Sequence, residues 1–239
     1  MKRIYLLLLL AVSATASFAQ KTINDPNVTV RDLKGFTAIK ASSAFDIYIT
    51  QGTDEAVAVS ATDPKYIGDI KTEVTDGVLR IWFDQGKARN WNTGKLKLKA
   101  YISIKDINKL DVSGACDVYI EGGLKLDDLK VVLSGASDVK GKLDVQKLEI
   151  DMSGASDMTV SGSAGQLNIE SSGASNFKGF NLVTEFCEAR ASGASDIKIT
   201  VNKELKVQAS GASDVDYKGE AVIRDLRTSG ASSVSKARS

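Results

Sequence analysis

The tetrapeptide Ser-Gly-Ala-Ser recurs at Ser134, Ser153, Ser172, Ser192, Ser210 and Ser229, with Ser-Gly-Ala-Cys at Ser113. Successive copies are 21, 19, 19, 20, 18 and 19 residues apart. A short fixed period restricts the fold more than any other feature of the chain, because each unit must bury its apolar face against its neighbours. Counted from the first Ser, the position three earlier holds Leu110, Val131, Ile150, Ile169, Ala189, Val207 and Leu226. The position five later holds Val118, Val139, Met158, Phe177, Ile197, Val215 and Val234. Apolar and polar residues alternate on both sides of the motif, which is the two-residue period of a strand. A period near 19 is too short for a helical-hairpin repeat and lacks the Leu and Asn pattern of a leucine-rich repeat. The expected fold is all-β: a parallel β-solenoid whose coils stack about 4.8 Å apart.

The motif has a mechanical reason. Gly allows backbone angles closed to other residues at a sharp corner, and Ala and Ser keep the corner tight. Several near-identical copies argue for a structural unit over a serine nucleophile or a phosphate-cradling loop, since catalysis needs one special site. The chain holds no His, which removes His-based triads and His metal ligands. The formal net charge of +1 offers no basic field for nucleic acid.

Met1–Gln20 (MKRIYLLLLLAVSATASFAQ) reads as a secretory leader. It has a basic start, a nine-residue apolar run at Ile4–Val12 and a small-x-small site at Ser17-Phe18-Ala19. Residues 1–19 are therefore expected to be removed, which brings the formal charge to −1. No Cys stands at the cleavage point, so no lipoprotein anchor is expected, and no membrane span remains after removal. Residues 20–27 form a short extension, and 28–239 a single solenoid domain.

Within that domain, 28–108 is irregular and 109–239 carries the regular repeat. Ser42-Ser43-Ala44-Phe45-Asp46 is a degenerate copy of the motif. Strands are expected at 28–30, 45–49, 57–59, 78–83 and 96–102. Asp76-Gly77 is a tight-turn signal, Asp63–Gly68 a turn or single helical turn, and Lys87–Gly94 a polar loop carrying Trp91. This half is read as the start of the same solenoid, with longer excursions and a cap over its first coil. Cys187 stands in the register of Leu148, Leu167 and Leu205, and Cys116 replaces the last Ser of a motif. Cys187 is therefore expected to be buried, and with four coils, near 19 Å at the stacking rise, separating the two, both thiols are expected to be free.

Four residues after each first Ser stand Asp117, Asp138, Asp157, Asn176, Asp196, Asp214 and Ser233. In a parallel stack they form a column whose like charges repel by about 1 kcal/mol per neighbouring pair at water-like dielectric. Two accounts offset this. Each Asp could accept a backbone N–H at the turn, as Asn176 and Ser233 also could. Alternatively the column could hold Ca²⁺, although the Gly-Gly-x-Gly-x-Asp repeat of calcium β-rolls is absent.

The leader, Val30–Ile39 (VRDLKGFTAI), Phe45–Gly52 (FDIYITQG), Asp76–Ile81 (DGVLRI) and the Ser-Gly-Ala-Ser-Asp coils together resemble the putative auto-transporter adhesin, head GIN domain family. The resemblance covers about residues 28–236. It implies a right-handed parallel β-helix on an exported bacterial protein of the Bacteroidetes type, located in the periplasm, at the outer cell surface or outside the cell. The family defines no catalytic residues, so no catalytic, cofactor-binding or metal-binding residue is assigned and no cofactor is expected.

Three functions follow. The first is a non-enzymatic adhesin or binding module of the envelope. Its partner would be a glycan or envelope protein that the sequence does not identify, with Lys140, Lys142, Lys178, Lys198 and Lys206 exposed between the coils. The second is a polysaccharide-acting enzyme, for which Asp69, Asp84 and Arg89 near Trp82 and Trp91 are sparse candidates without a motif. The third is a homo-oligomeric structural protein that stacks end to end.

Overall fold

The computed structural model describes residues 25–84 and 96–238. The leader at 1–19, Arg89 and Trp91 lie outside them. The first half contains β1 (Thr29–Arg31), β2 (Ala38–Ala41), β3 (Phe45–Gln51), β4 (Ala56–Ala61), β5 (Ile70–Thr75), β6 (Val78–Phe83) and β7 (Leu98–Ile104). The second contains β8 (Lys109–Val112), β9 (Asp117–Glu121), β10 (Leu124–Leu133), β11 (Asp138–Met152), β12 (Asp157–Ser171), β13 (Asn176–Ala191), β14 (Asp196–Ala209), β15 (Asp214–Lys218), β16 (Val222–Thr228) and β17 (Ser233–Lys236). One sheet joins all of these strands and winds into a parallel β-solenoid of about 7 turns, with 66% of the described residues in strands.

The repeat register is the stacking register. On the face before the motif, Leu129, Leu148, Leu167, Cys187 and Leu205 are direct partners in successive coils. On the face after it, Val118, Val139, Met158, Phe177, Ile197 and Val215 align likewise. These side chains alternate inward and are buried in one continuous core. Both cysteines are free and buried. Cys187 fills a leucine position, as a small apolar side chain can.

At the corner between the two faces the motif glycines lie in the left-handed region, with φ from 73° at Gly193 to 84° at Gly114. Close approach also requires them: a Cβ on Gly154 would meet the carbonyl oxygen of Gly135 at 2.4 Å. That contact exists because each motif Ala from Ala136 onward donates its N–H to the Gly carbonyl of the preceding coil, at 2.7 Å for Ala136 to Gly114 and 2.8 Å for Ala155 to Gly135, while Ala115 donates to the Ser43 carbonyl. The last motif Ser turns inward. Ser137, Ser156, Ser195 and Ser213 are fully buried, and each donates its hydroxyl to the carbonyl of the motif's first Ser at 2.9–3.0 Å. Cys116 places its thiol in the same position, 3.4 Å from the Ser113 carbonyl. Ser43, at φ 87°, stands in the glycine register of the first coil, where its hydroxyl accepts the N–H of Phe83.

The irregular half is part of this stack, but its spatial order departs from its sequence order. β2 and β3 are in register with β8 and β9, as the degenerate motif predicts. β6 and β7 then pair with the opposite side of β2 and β3. The first coil in sequence is thus the second in space. Antiparallel strands close this end. β5 folds onto β6 through the Asp76-Gly77 turn, with φ 52° and 73°, while β4 pairs with β7 and β1 with β4. The turn expected at Asp63–Gly68 is a 3-10 helix over Pro64–Asp69, where the Asp63 carboxylate accepts the Lys65 N–H. Tyr66 packs edge-on against Phe83 beneath it.

The other end is open among the described residues, where β16 pairs only with β14 and β17 only with β15. Val222, Ile223 and Leu226 are 55%, 40% and 47% exposed there, although Leu226 lies in the register of buried Val207.

Candidate functional site

Alternation sends every second residue outward, so coils in register build rows of side chains along the solenoid axis. On the face before the motif one row reads Val132, Asp151, Glu170, Arg190, Gln208 and Arg227. The first motif serines, from Ser153 to Ser229, run beside it. Between the two rows lies an axial groove of about 540 Å³. Its serine side is polar but internally satisfied. Ser153 Oγ donates to the Leu133 carbonyl at 3.3 Å and Ser172 Oγ to the Met152 carbonyl at 3.2 Å. Its charged side is fixed by ion pairs. Arg190 bridges Glu170 and Glu188, and Arg227 meets Asp225 at 3.1 Å. Lys130 holds Glu149 and Asp151. Ser171 also lines the groove; it is 2% exposed and its hydroxyl has no partner.

A second hollow, of about 520 Å³, lies beside Gln51, Gly122, Gly123 and Asp144. The Gln51 amide is already engaged there. It donates to the carbonyls of Lys105 and Lys125 and accepts the Lys125 N–H. It acts as a staple between coils.

The acidic column is real and extends by one residue: Asp46, Asp117, Asp138, Asp157, Asn176, Asp196 and Asp214 are partners in sequence, ending at Ser233. The turn-cap account of it is corrected. Backbone N–H groups cap the Asp25 and Asp63 carboxylates in this chain, but among the described residues none is donated to a carboxylate of the column. Two of its charges are met instead by the next outward row, where Lys140 lies 3.5 Å from Asp138 and Lys178 lies 3.6 Å from Asp157. Among the described residues, no three carboxylates converge on a point that could hold a cation. Burial, with the Asp138 and Asp46 charges added, pushes the Asp117 carboxyl above its ordinary value.

At the capped end that same row becomes aromatic. Tyr48 stacks between Tyr101 and Tyr119 at 5.3 Å to each. Sequence reasoning missed this cluster. The signal was available, since Tyr48 and Tyr119 both stand six residues after their first Ser. The rings spend their faces on one another. Tyr101 also donates its hydroxyl to Asp25 at 3.0 Å, and burial followed by that bond pushes the phenol well above its ordinary value.

The five lysines expected at the surface are exposed. Of the sparse enzyme candidates, Asp69 and Asp84 do come together, the Asp84 N–H donating to the Asp69 carbonyl at 2.9 Å. They lie at the end of the β5–β6 hairpin, away from both hollows. No described helix is long and apolar enough to cross a membrane.

The family model described as "Putative auto-transporter adhesin, head GIN domain" matches residues 35–221. A crystal structure of a putative adhesin from Bacteroides fragilis is similar at TM-score 0.79 and 27% identity, covering 88% of this chain and 96% of that one. A putative adhesin from Parabacteroides distasonis aligns at TM-score 0.63 and 19% identity, over 88% and 96% of the two chains. A putative lipid binding protein from the same species aligns at TM-score 0.64 and 17% identity, over 90% and 98%. The two more distant likenesses speak to the fold alone. No curated protein matches the chain in sequence.

Proposed function

Since the chain belongs to the putative auto-transporter adhesin, head GIN domain family, we propose that it is an exported, non-enzymatic binding module of the bacterial envelope that takes a linear glycan along its axial groove. The observation that carries this reading is the periodicity of the groove. Equivalent positions recur once per coil, about every 4.8 Å. An extended peptide advances about 3.3 Å per residue and falls out of step with that spacing. The coil rise is close to the advance of one sugar along an extended glycan chain. The groove also supplies what sugar hydroxyls use: charged and amide groups at Glu170, Arg190 and Gln208, on a wall already ordered by ion pairs. Ordered groups lose little freedom on binding.

A glycan array followed by calorimetric titration of the best hit tests the proposal. Arg190→Ala and Gln208→Ala are expected to weaken binding by about tenfold each, the scale of a lost charge-assisted hydrogen bond, with the melting temperature nearly unchanged. Turnover of any polysaccharide would sink the non-enzymatic reading. A silent array together with capture of a single envelope protein would move the partner from glycan to protein. Export rests on the leader at residues 1–19, and fractionation of cells carrying the tagged chain checks it.

A further inference from the structure

We infer that the open end of the solenoid is a self-association surface, and that two copies join tail to tail through antiparallel pairing of β16 with β16 into a closed dimer. This goes beyond the binding reading and does not depend on it.

Three observations carry the inference. First, the two ends differ. The capped end finishes in antiparallel β1, only three residues long, and in β5, folded back on β6 as a hairpin. Short edge strands discourage edge pairing. The open end presents seven-residue β16 with one ladder edge unpaired among the described residues and with Val222, Ile223 and Leu226 exposed. An end-to-end filament needs a tail to meet a head, and the antiparallel cap removes that option. A tail can meet another tail, and such a contact is self-complementary and closes at two.

Second, the β16 sequence, Val-Ile-Arg-Asp-Leu-Arg-Thr, is charge-complementary to itself in one register. With Leu226 on the two-fold axis, Asp225 of each copy stands opposite Arg227 of the other. Asp225 and Arg227 already pair within the chain at 3.1 Å on the outward side, where Arg227 is 71% exposed. The dimer joins two such pairs into one ring of alternating charge. Moving the axis to Asp225 would place like charges opposite each other, which antiparallel strands disfavour.

Third, the same register places Leu226 against Leu226 on the inner side. There they continue the column of Val207, Ala189 and Ile169. The core of one copy then runs into the core of the other.

Sedimentation of the purified protein over a range of concentrations should show mass rising to twice the monomer and stopping. Asp225→Arg sets Arg against Arg and should lower the association constant about tenfold or more. The double exchange Asp225→Arg with Arg227→Asp should restore it. Both sites are on the surface, so neither variant depends on refolding of the core. Leu226→Cys supplies a second readout. Opposed residues in antiparallel strands lie about 4.5–5.5 Å apart at Cα, within disulfide reach, so mild oxidation should give a covalent dimer. Val30→Cys, at the capped end, should not cross-link at the same protein concentration. A monomer at every concentration, a mass growing past two, equal cross-linking at both ends, or failure of the double exchange to restore association would each overturn the inference.

Discussion

At the scale of single residues, the motif glycines are the least replaceable positions. Gly154→Ala meets two penalties together, a positive φ and a Cβ 2.4 Å from a backbone oxygen that cannot retreat without breaking the coil-to-coil ladder. Denaturant titration should show a loss of about 2–4 kcal/mol. Gly122→Ala shares the positive φ, but its Cβ meets nothing within 4 Å, and should cost only about 1 kcal/mol. Asp117 behaves in the opposite sense. Its carboxyl is raised in the folded state, so the charged form present at neutral pH is the disfavoured one. The stability linked to its protonation is complete below the unfolded value and lost as pH rises through the folded value. Asp117→Asn should therefore raise the melting temperature at pH 7, and the gain should vanish in acid. The glycines were legible because repetition exposed them. The Asp117 shift was not, because it depends on how deeply one member of a column sits.

At the scale of strands, alternation revealed the regular coils from β8 onward, and a register argument alone placed Cys187 in a leucine column. Burial holds both thiols above their ordinary values. Neither should react with Ellman's reagent in the native protein, and both should react after unfolding. The acidic column is also a strand-level feature. With two of its charges met by Lys140 and Lys178 and no three described carboxylates converging on a point, EDTA should leave the melting temperature unchanged, and a drop of several degrees would instead indicate a bound cation. Alternation did not reveal β5. Ile70–Thr75 is mostly half-exposed, and its strand character comes from pairing with β6 across the Asp76-Gly77 turn. Nor could the placement of β6 and β7 outside the first coil be read from local pattern. Their burial is set by partners 40 residues earlier in the chain for β6 and 53 earlier for β7.

At the scale of the whole molecule, stability in a stack is roughly a sum of neighbour interfaces. Interior coils have two neighbours and the last coil has one. The capped end has antiparallel strands and a 3-10 helix over it, whereas among the described residues β16 and β17 each pair with one strand alone. Hydrogen exchange on dilute protein should therefore be fastest in residues 222–236 and slowest in β11–β13, with protection falling towards the open end. Uniform protection along the axis would contradict this. The binding groove belongs to this scale too. No single coil contains it, and it was invisible in the sequence because it depends on which outward rows meet at a corner.

The coils differ in length, from 18 to 21 residues between motifs, yet the Ala-to-Gly ladder at the corner stays at 2.7–2.8 Å throughout. The surplus residues are absorbed elsewhere. The register shifts between Thr159 and Ser161, between Gly179 and Val183 and between Leu205 and Lys206, each outside the corner itself. One edge of the molecule therefore acts as a ruler of constant pitch, and another as a pleat that lets out slack. Insertions placed in the pleat would alter the outline of a single coil while every other row along the axis kept its spacing, so new surface features can be added without re-aligning the old ones.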